Sequence, residues 1–335
     1  MEGTVQSFGV LNYAGMLYNR ANIDTPFLNA ISGKTVYTQS VEFVTGQEYS
    51  SEEGDIPAIS ETASLTAPKA TYVTREQKSN VTQIFHESVS ISYAKMSNMN
   101  TLSGVNLAGQ SANPQNEKDF QIASKFHKIK RSIEKTFIQG KYYKAKTDAE
   151  VNKTRGMDEA IVTNVIEANG EKLNIWLVND LMGKIKNSQG DISSLTLWVD
   201  TTALNQINAN AVEYGMPMGE AYTTAFGIQV RDLILPLGVI HIALGEFIPE
   251  GTVYAFNFAP IRPVEQPVPG KGNFFYEPLS KVGAGESGQI FGQIGLDHGP
   301  EWFHGKITGL STEFVKPAGQ KIVMVTEASA TEVEG

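Results

Sequence analysis

The segment formed by residues 113–140 constrains the fold of this chain most, because it predicts one long amphipathic helix. Five apolar residues recur in it at spacings of 4, 3, 4 and 4, so that they form one stripe on a helix. These residues are Ile122, Phe126, Ile129, Ile133 and Phe137. Asn113 and Pro114 suit a helix start, and Gly140 suits a helix end. Such a helix would be about 39 Å long, which is long for a globular protein.

The polar side of this predicted helix is basic, although the chain as a whole is acidic. Residues 118–146 hold nine Lys or Arg and two acidic residues, whereas the net charge of the chain is −9. Basic side chains on one helix face can contact nucleic acid through its phosphates without reading the base sequence. The alternative interpretation is a solvated or salt-bridged face, and the overall acidity argues against a dedicated nucleic-acid binder.

A polar, acidic segment precedes the helix. Residues 33–50 alternate between two faces with the period of a β-strand. Residues 35–68 contain no Lys or Arg and carry six carboxylates, namely Glu42, Glu48, Glu52, Glu53, Asp55 and Glu61. Because unpaired carboxylates are costly to bury, this β-rich segment cannot bury both faces in its own domain. It is either a solvated hairpin or an arm that packs on a neighbouring molecule.

The rest of the chain predicts a mixed α+β architecture. Residues 80–93 alternate like a strand, residues 174–187 form a second amphipathic helix, and Asp200 caps a third. Further strands are predicted at 195–199, 227–235, 239–244, 252–258, 274–279, 289–296 and 301–310. A Pro- and Gly-rich crossover at 262–272 separates the two sets of strands, so a helix-flanked sheet at about 170–262 is the best candidate for a compact domain.

The sequence offers little catalytic chemistry. Cysteine is absent, which excludes thiolate nucleophiles and cysteine metal sites. Residues 283–288 match the G-x-G-x-x-G spelling of a dinucleotide site, but the residues that follow alternate like a strand instead of starting a helix. A glycine-rich turn is the better interpretation. We predict no cofactor, and the longest apolar run has twelve residues, too few to span a bilayer.

Residues 297–304 hold the sharpest enzymatic alternative. Asp297, His298, Glu301 and His304 could supply oxygen and imidazole ligands to a metal ion. In a strand, however, the two histidines would lie about 20 Å apart on one face, and residues 299–300, Gly-Pro, prevent a helix that would align them. Turn or interface residues are therefore the preferred interpretation, and we predict that the protein is not an enzyme.

The order of these parts resembles a major capsid protein of tailed bacteriophages with the Hong Kong 97-type fold. The sequence NVTQIF followed by VSIS before the helix, and EWFHGKITGL at residues 301–310, are similar to one capsid subgroup. The resemblance divides the chain into an N-terminal arm at 1–32, an extended β-hairpin loop at 33–76, peripheral-domain parts at 77–169 and 263–315, an axial domain at 170–262 and a C-terminal tail at 316–335. The helix at 113–140 would be the spine helix of the peripheral domain.

The resemblance implies a shell protein that self-assembles into hexamers and pentamers of an icosahedral head around double-stranded DNA. The acidic residues of the extended loop would then lie at a subunit interface. The basic helix face could contact the genome through Lys125, Lys128, Arg131 and Lys135. Expected partners are a portal protein and, because residues before the helix leave no room for a scaffolding segment, a separate scaffolding protein. The location would be the virion, assembled in the host cytoplasm, with no membrane contact.

Two alternatives to the phage head stay open. The nearest is an encapsulin-like nanocompartment shell, which would enclose protein cargo instead of DNA. The more distant is the metal-dependent enzyme that uses residues 297–304.

Overall fold

The computed structural model describes residues 25–49, 56, 58–67, 72, 75–97, 117–214, 222–223, 229–281 and 283–315. The elements up to the long helix are α1 Pro26–Ile31, β1 Val36–Tyr37, β2 Glu42–Tyr49, α2 Glu61–Ser64, β3 Arg75–Val81, β4 Gln83–Ser92, α3 Tyr93–Ser97 and α4 Glu117–Gln139. Those that follow are α5 Met157–Ala160, β5 Val165–Glu167, α6 Ile175–Asn187, β6 Leu195–Val199, α7 Thr201–Glu213, β7 Tyr222–Thr223, β8 Gln229–Leu235, β9 Gly238–Leu244, β10 Val253–Asn257, β11 Arg262–Glu265, β12 Phe275–Pro278, β13 Gly285–Asp297 and β14 Gly305–Thr308.

Helix α4 is the long helix that the apolar stripe predicts. Ile129, Ile133 and Phe137 are buried, because the stripe faces the core. The helix ends where predicted: the Gly140 N–H donates to the Thr136 oxygen at 2.8 Å. A Cβ at position 140 would lie 2.4 Å from that same oxygen, so a side chain has no room there. The predicted start at residues 113–116 lies outside the described part of the chain.

Strand β13 is the centre of a five-stranded sheet on which α4 packs. It pairs antiparallel with β4 from Gly285↔Ser92 to Ile294↔Gln83, and with β11 and β12 along its other edge. Phe85 and Ile290 belong to the face that packs with α4 in one buried cluster. The glycine-rich residues 283–288 therefore lead into a strand, and the helix that a dinucleotide site requires does not follow them.

A seven-stranded sheet has the order β5-β14-β10-β6-β9-β8-β7. Helices α6 and α7 share a buried cluster with one of its faces, and the Asp200 side chain caps α7 by accepting from the Ala203 N–H at 2.7 Å. The sheet extends beyond residues 170–262, because β14 pairs with β10 and brings β5 with it. The predicted domain boundaries remain a prediction.

An aromatic cluster joins the other face of this sheet to α4 and the five-stranded sheet. Phe27, on α1, lies with its ring centroid 6.1 Å from that of Trp198 and 5.6 Å from that of Phe256. The Leu28 N–H donates to the Glu134 carboxylate of α4 at 3.3 Å, and the Lys34 ammonium donates to the Phe258 oxygen at 2.8 Å. Helix α1 is thus held in the core by both apolar and polar contacts.

The predicted strand at 301–310 is wrong over its first half. Residues Glu301–Phe303 form a 3₁₀ turn, and only Gly305–Thr308 form a strand. The Gly299 φ of 65° and the fixed φ of Pro300 turn the chain before Glu301, so that pairing with β10 starts only at Gly305. Among the described residues, no helix is both long and apolar enough to cross a membrane.

Candidate functional site

The root of the β2–β3 hairpin is fixed to the body by a buried amide. Asn80 is fully buried, and its Nδ2 donates to the Leu296 oxygen at 2.7 Å and to the Arg155 oxygen at 3.2 Å. Its Oδ1 accepts from the Arg155 N–H at 2.8 Å and from the Val81 N–H at 2.9 Å. A fully satisfied amide of this kind specifies one arrangement of the strands around it.

A β-bulge follows on the opposite strand of the hairpin. The pairing of β2 with β3 shifts register between Thr45 and Gln47, with Gly46 at a φ of 57°. The Thr45 hydroxyl donates to Asp297 Oδ1 at 2.7 Å, and Asp297 Oδ1 also accepts from the Gly299 N–H at 3.0 Å. A Cβ on residue 46 would lie 2.8 Å from the Gly299 oxygen, so only glycine fits this contact without a shift.

The predicted acidic interface residues have different surroundings. Glu42 forms an ion pair with Lys144 and accepts from the Ser79 hydroxyl at 2.7 Å, and these two hydrogen bonds lower the pKa of its carboxyl. Glu61 is exposed in the first turn of α2, and Glu48 lies in β2. Glu52, Glu53 and Asp55 are outside the described residues. A role for these six residues at a subunit interface remains a prediction.

Two of the predicted basic residues form ion pairs within the chain. Lys125 and Lys128 both bind the Glu87 carboxylate of β4, the former at 2.9 Å. Burial alone would raise the pKa of Glu87, but the hydrogen bonds from the two ammonium groups outweigh burial and lower it. Lys118, two to three turns earlier, binds Glu286 of β13 at 2.8 Å. This side of α4 is therefore neutralised by the sheet on which it packs.

Other basic residues on α4 and just beyond its end keep their positive charge. Arg131 lies over the Phe247 ring, with its guanidinium carbon 5.6 Å from the ring centroid. Lys130, Lys135 and Lys141 are exposed, and none has a carboxylate within ion-pair distance in the described part of the chain. The spacing of the lysines does not separate the two groups, since Lys135 lies seven residues after Lys128 and so on the same face of the helix. The partner carboxylates come from strands remote in sequence.

The possible metal ligands in residues 297–304 belong to a buried hydrogen-bonded cluster. His304 Nε2 lies 2.9 Å from the His298 oxygen, so the expected separation of about 20 Å in a strand is wrong because the chain turns at residues 299–303. Burial lowers the pKa of His304 to about 4 and also lowers that of His298. Both imidazoles are therefore neutral at pH 7.

Glu301 is held in this cluster by three hydrogen bonds to the segment at residues 162–163. Its carboxylate accepts from the Val162 and Thr163 N–H groups at 3.1 Å each, and from the Thr163 hydroxyl. Burial by itself raises the pKa of Glu301, but these hydrogen bonds outweigh it and lower the pKa. Across the described ranges, no three His, Asp or Glu side chains are grouped so that they could hold a metal ion.

Solved shell structures have a fold similar to that of this chain. The capsid of cyanophage A-1(L) aligns with a TM-score of 0.63 at 11% identity, covering 92% of this chain and 99% of the other. The SrpI encapsulin of Synechococcus elongatus PCC 7942 aligns with a TM-score of 0.58 at 8% identity, covering 90% and 95%. The capsid of a native GTA particle gives 0.55 at 11% identity, covering 92% and 98%.

These alignments establish the fold, and the sequence itself establishes the family. No curated protein matches the chain. The family model of the SU10 major capsid protein, however, matches residues 1–311, which contain the hairpin, the long helix and both sheets. The predicted Hong Kong 97-type capsid fold and shell function are thereby confirmed. The chain belongs to the SU10 major capsid protein family.

Proposed function

We propose that this shell protein builds an icosahedral phage head from hexamers and pentamers of itself, enclosing double-stranded DNA. The observation that carries the proposal is the exposure of large apolar side chains around the β2–β3 hairpin. Ile56 is 94% exposed, Ile59 69%, Leu65 85% and Tyr72 89%. So many exposed apolar residues in one short segment mark a surface that another molecule covers.

Among the residues that the structure describes, the buried contacts of the hairpin lie at its root. Thr45, Asn80 and Val81 are buried, whereas no buried residue lies among the described ones between positions 56 and 67. Residues 35–68, which include this segment, carry six carboxylates and no Lys or Arg. A neighbouring subunit of the shell, with basic and apolar surface of its own, is the cover that this composition fits best.

A contact with packaged DNA is the second part of the proposal. Of the basic residues that the helix pattern predicted, Lys125 and Lys128 are engaged by Glu87, and Arg131 and Lys135 lie outside that ion pair. We therefore assign the DNA-facing charge mainly to Lys130, Lys135 and Lys141, supported by Arg131. Such contacts would be made to phosphates and would not depend on base sequence.

The wider setting of this shell follows from the resemblance to tailed-phage capsid proteins. A portal protein and a separately encoded scaffolding protein are proposed partners, with assembly in the host cytoplasm before the finished virion forms. Co-expression of the chain with each candidate partner tests these contacts. A partner that neither binds the chain nor changes the particles formed has no place in the proposal.

An encapsulin-like nanocompartment is the competing function, supported by the likeness to the SrpI encapsulin. Purification of particles from infected or expressing cells, followed by electron microscopy and analysis of their contents, separates the two. The phage-head proposal expects nuclease-resistant DNA inside particles that contain both hexamers and pentamers. Particles that hold a protein cargo and no DNA would favour the nanocompartment.

A further inference from the structure

A hydrogen-bonded chain links the hairpin root to the seven-stranded sheet through two buried histidines. His298 Nδ1 lies 2.7 Å from the Gly299 oxygen, the carbonyl on which Gly46 of the hairpin is seated. His304 Nε2 lies 2.9 Å from the His298 oxygen, and the Asn257 N–H of β10 donates to His304 Nδ1 at 3.2 Å. We call these four groups the histidine relay.

The relay fixes the position of the ring protons. Because a carbonyl oxygen only accepts, Nδ1 of His298 and Nε2 of His304 each carry the single proton of a neutral imidazole. Nδ1 of His304 accepts from Asn257 and so carries none. Nε2 of His298 is the exception, since it is buried and has no hydrogen-bond partner. A proton added to this nitrogen would find no protein acceptor within hydrogen-bond distance in the described part of the chain.

We propose that the histidine relay is a latch for the β2–β3 hairpin, closed while His298 is neutral and opened when its imidazole takes up a second proton. In the closed state the Gly299 carbonyl oxygen accepts a hydrogen bond from the His298 Nδ1–H and packs against Gly46 of the bulge. Asp297 completes the contact by accepting from Thr45. The hairpin therefore leaves the body at one angle.

The charges around His298 explain why a second proton would open the latch. Two cations act on it, Lys78 on strand β3 of the hairpin itself and Arg155 beside Asn80, and both disfavour an imidazolium. The carboxylate of Asp297 favours it, but its Oδ1 already holds Thr45 and Gly299. Glu301 acts on the neighbouring His304.

An imidazolium at position 298 must therefore either draw Asp297 away from Thr45 or turn towards water. Either movement removes a contact that holds the hairpin, and repulsion from Lys78 adds to it because Lys78 moves with β3. Burial lowers the pKa of His298, so the closed latch prefers the neutral ring. Opening is then linked to proton uptake below the ordinary histidine pKa of about 6.5.

Hydrogen exchange of the full-length chain at about pH 7.5 and about pH 5.5, corrected for the intrinsic pH dependence of exchange, tests the latch. We expect the amide protection of β2 and β3 to fall by up to about tenfold at the lower pH. This is the limit for one proton taken up over the pH unit between about 6.5, the ordinary histidine pKa, and about 5.5. Strand β6, which lies in the core of the other sheet, reports global unfolding, whose pH dependence includes that of His304. Unchanged hairpin protection, or a hairpin response to pH that is the same in a variant without the His298 imidazole, would overturn the proposal.

His298→Asn is the matched variant, because its Nδ2 can replace the Nδ1 donor to Gly299 without titrating. Its hairpin protection should differ by less than about twofold between the two pH values. A response equal to that of the wild type would show that another group is responsible. Thr45→Val removes the contact to Asp297 while keeping the side-chain shape, and should lower hairpin protection already at about pH 7.5.

Discussion

Asn80 Nδ2 lies 2.7 Å from the backbone oxygen of Leu296, inside the junction where the hairpin meets β13. This single side chain makes four hydrogen bonds to backbone groups of three segments. Asn80→Ala would leave several buried groups unpaired, so we expect it to lower the free energy of unfolding by about 2–4 kcal/mol. Urea denaturation measures this effect. Asn152→Ala, which removes one bond to the Ala145 N–H, is the control and should cost about 1 kcal/mol or less.

Phe27 anchors the helix that precedes the hairpin. Its ring is fully buried among Trp198, Phe256 and Phe258. Phe27→Ala should lower the free energy of unfolding by about 3–5 kcal/mol, because it removes a large side chain and leaves a cavity. The exposed Tyr37 provides the comparison, and Tyr37→Ala should change stability by no more than about 0.5 kcal/mol. Equal effects of the two substitutions would contradict the assigned packing of α1.

The sequence predicts the elements whose signals are local. The apolar stripe from Ile122 to Phe137 predicts α4, and the capping residue Asp200 predicts the start of α7. Both signals act within a few residues of the chain. The alternation in residues 289–296 likewise gives β13. These features need no knowledge of the rest of the chain.

What the sequence could not predict depends on long-range register. Glu87 meets Lys125 and Lys128 only because β4 runs antiparallel to β13 under α4, and nothing near position 87 indicates this. His298 meets His304 because the chain turns between them, a geometry that the residue spacing alone does not give. Tertiary pairing thus decides which charged groups remain available to a partner.

The distinction between lysines that Glu87 engages and lysines that it does not engage can be tested by its effect on DNA binding. Lys130→Gln combined with Lys135→Gln should lower the slope of log binding constant against log salt concentration by about 2, because two phosphate contacts are lost. Lys125→Gln combined with Lys128→Gln has the same change in charge, but its lysines are engaged by Glu87, so the slope should change by less than about 1. Filter binding to random-sequence duplex DNA measures both. Equal slopes for the two variants would refute this distinction between the two pairs of lysines.

His304 makes the stability of the subunit depend on pH in a defined direction. Burial lowers the pKa of His304 to about 4, whereas an unfolded histidine has a pKa of about 6.5. The unfolded chain therefore binds the proton first, so stability is full above about pH 6.5 and declines as the pH falls towards about 4. Urea denaturation between about pH 7.5 and about pH 5 avoids most carboxyl titration.

His304→Gln should reduce the slope of unfolding free energy against pH in this range, by up to about 1.4 kcal/mol per pH unit. The variant is also expected to be less stable at neutral pH, because the glutamine amide, which has both a donor and an acceptor, does not hold them at the fixed positions of the two ring nitrogens that contact His298 and Asn257. His127→Gln, at an exposed position of α4, is the matched control for the substitution itself. A slope unaffected by His304→Gln would show that His304 does not titrate differently in the two states.

Deletion of residues 46–64 separates folding from assembly. The buried hairpin residues Thr45, Asn80 and Val81 lie outside the deleted segment, so we expect a soluble, folded subunit with circular dichroism close to that of the wild type. Closed shells should no longer form, because the exposed surface that a neighbour would cover is lost. Negative-stain microscopy and analytical ultracentrifugation measure assembly.

A milder variant tests whether the deletion prevents assembly only by distorting the hairpin root. Replacement of Ile56, Ile59, Leu65 and Tyr72 by serine keeps the chain length and removes only exposed apolar surface. Since these side chains contribute little to the isolated fold, the variant should unfold within about 1 kcal/mol of the wild type and still assemble poorly. Closed shells of normal size from both proteins would show that this segment is not an assembly surface, and the role assigned to the hairpin would then be wrong.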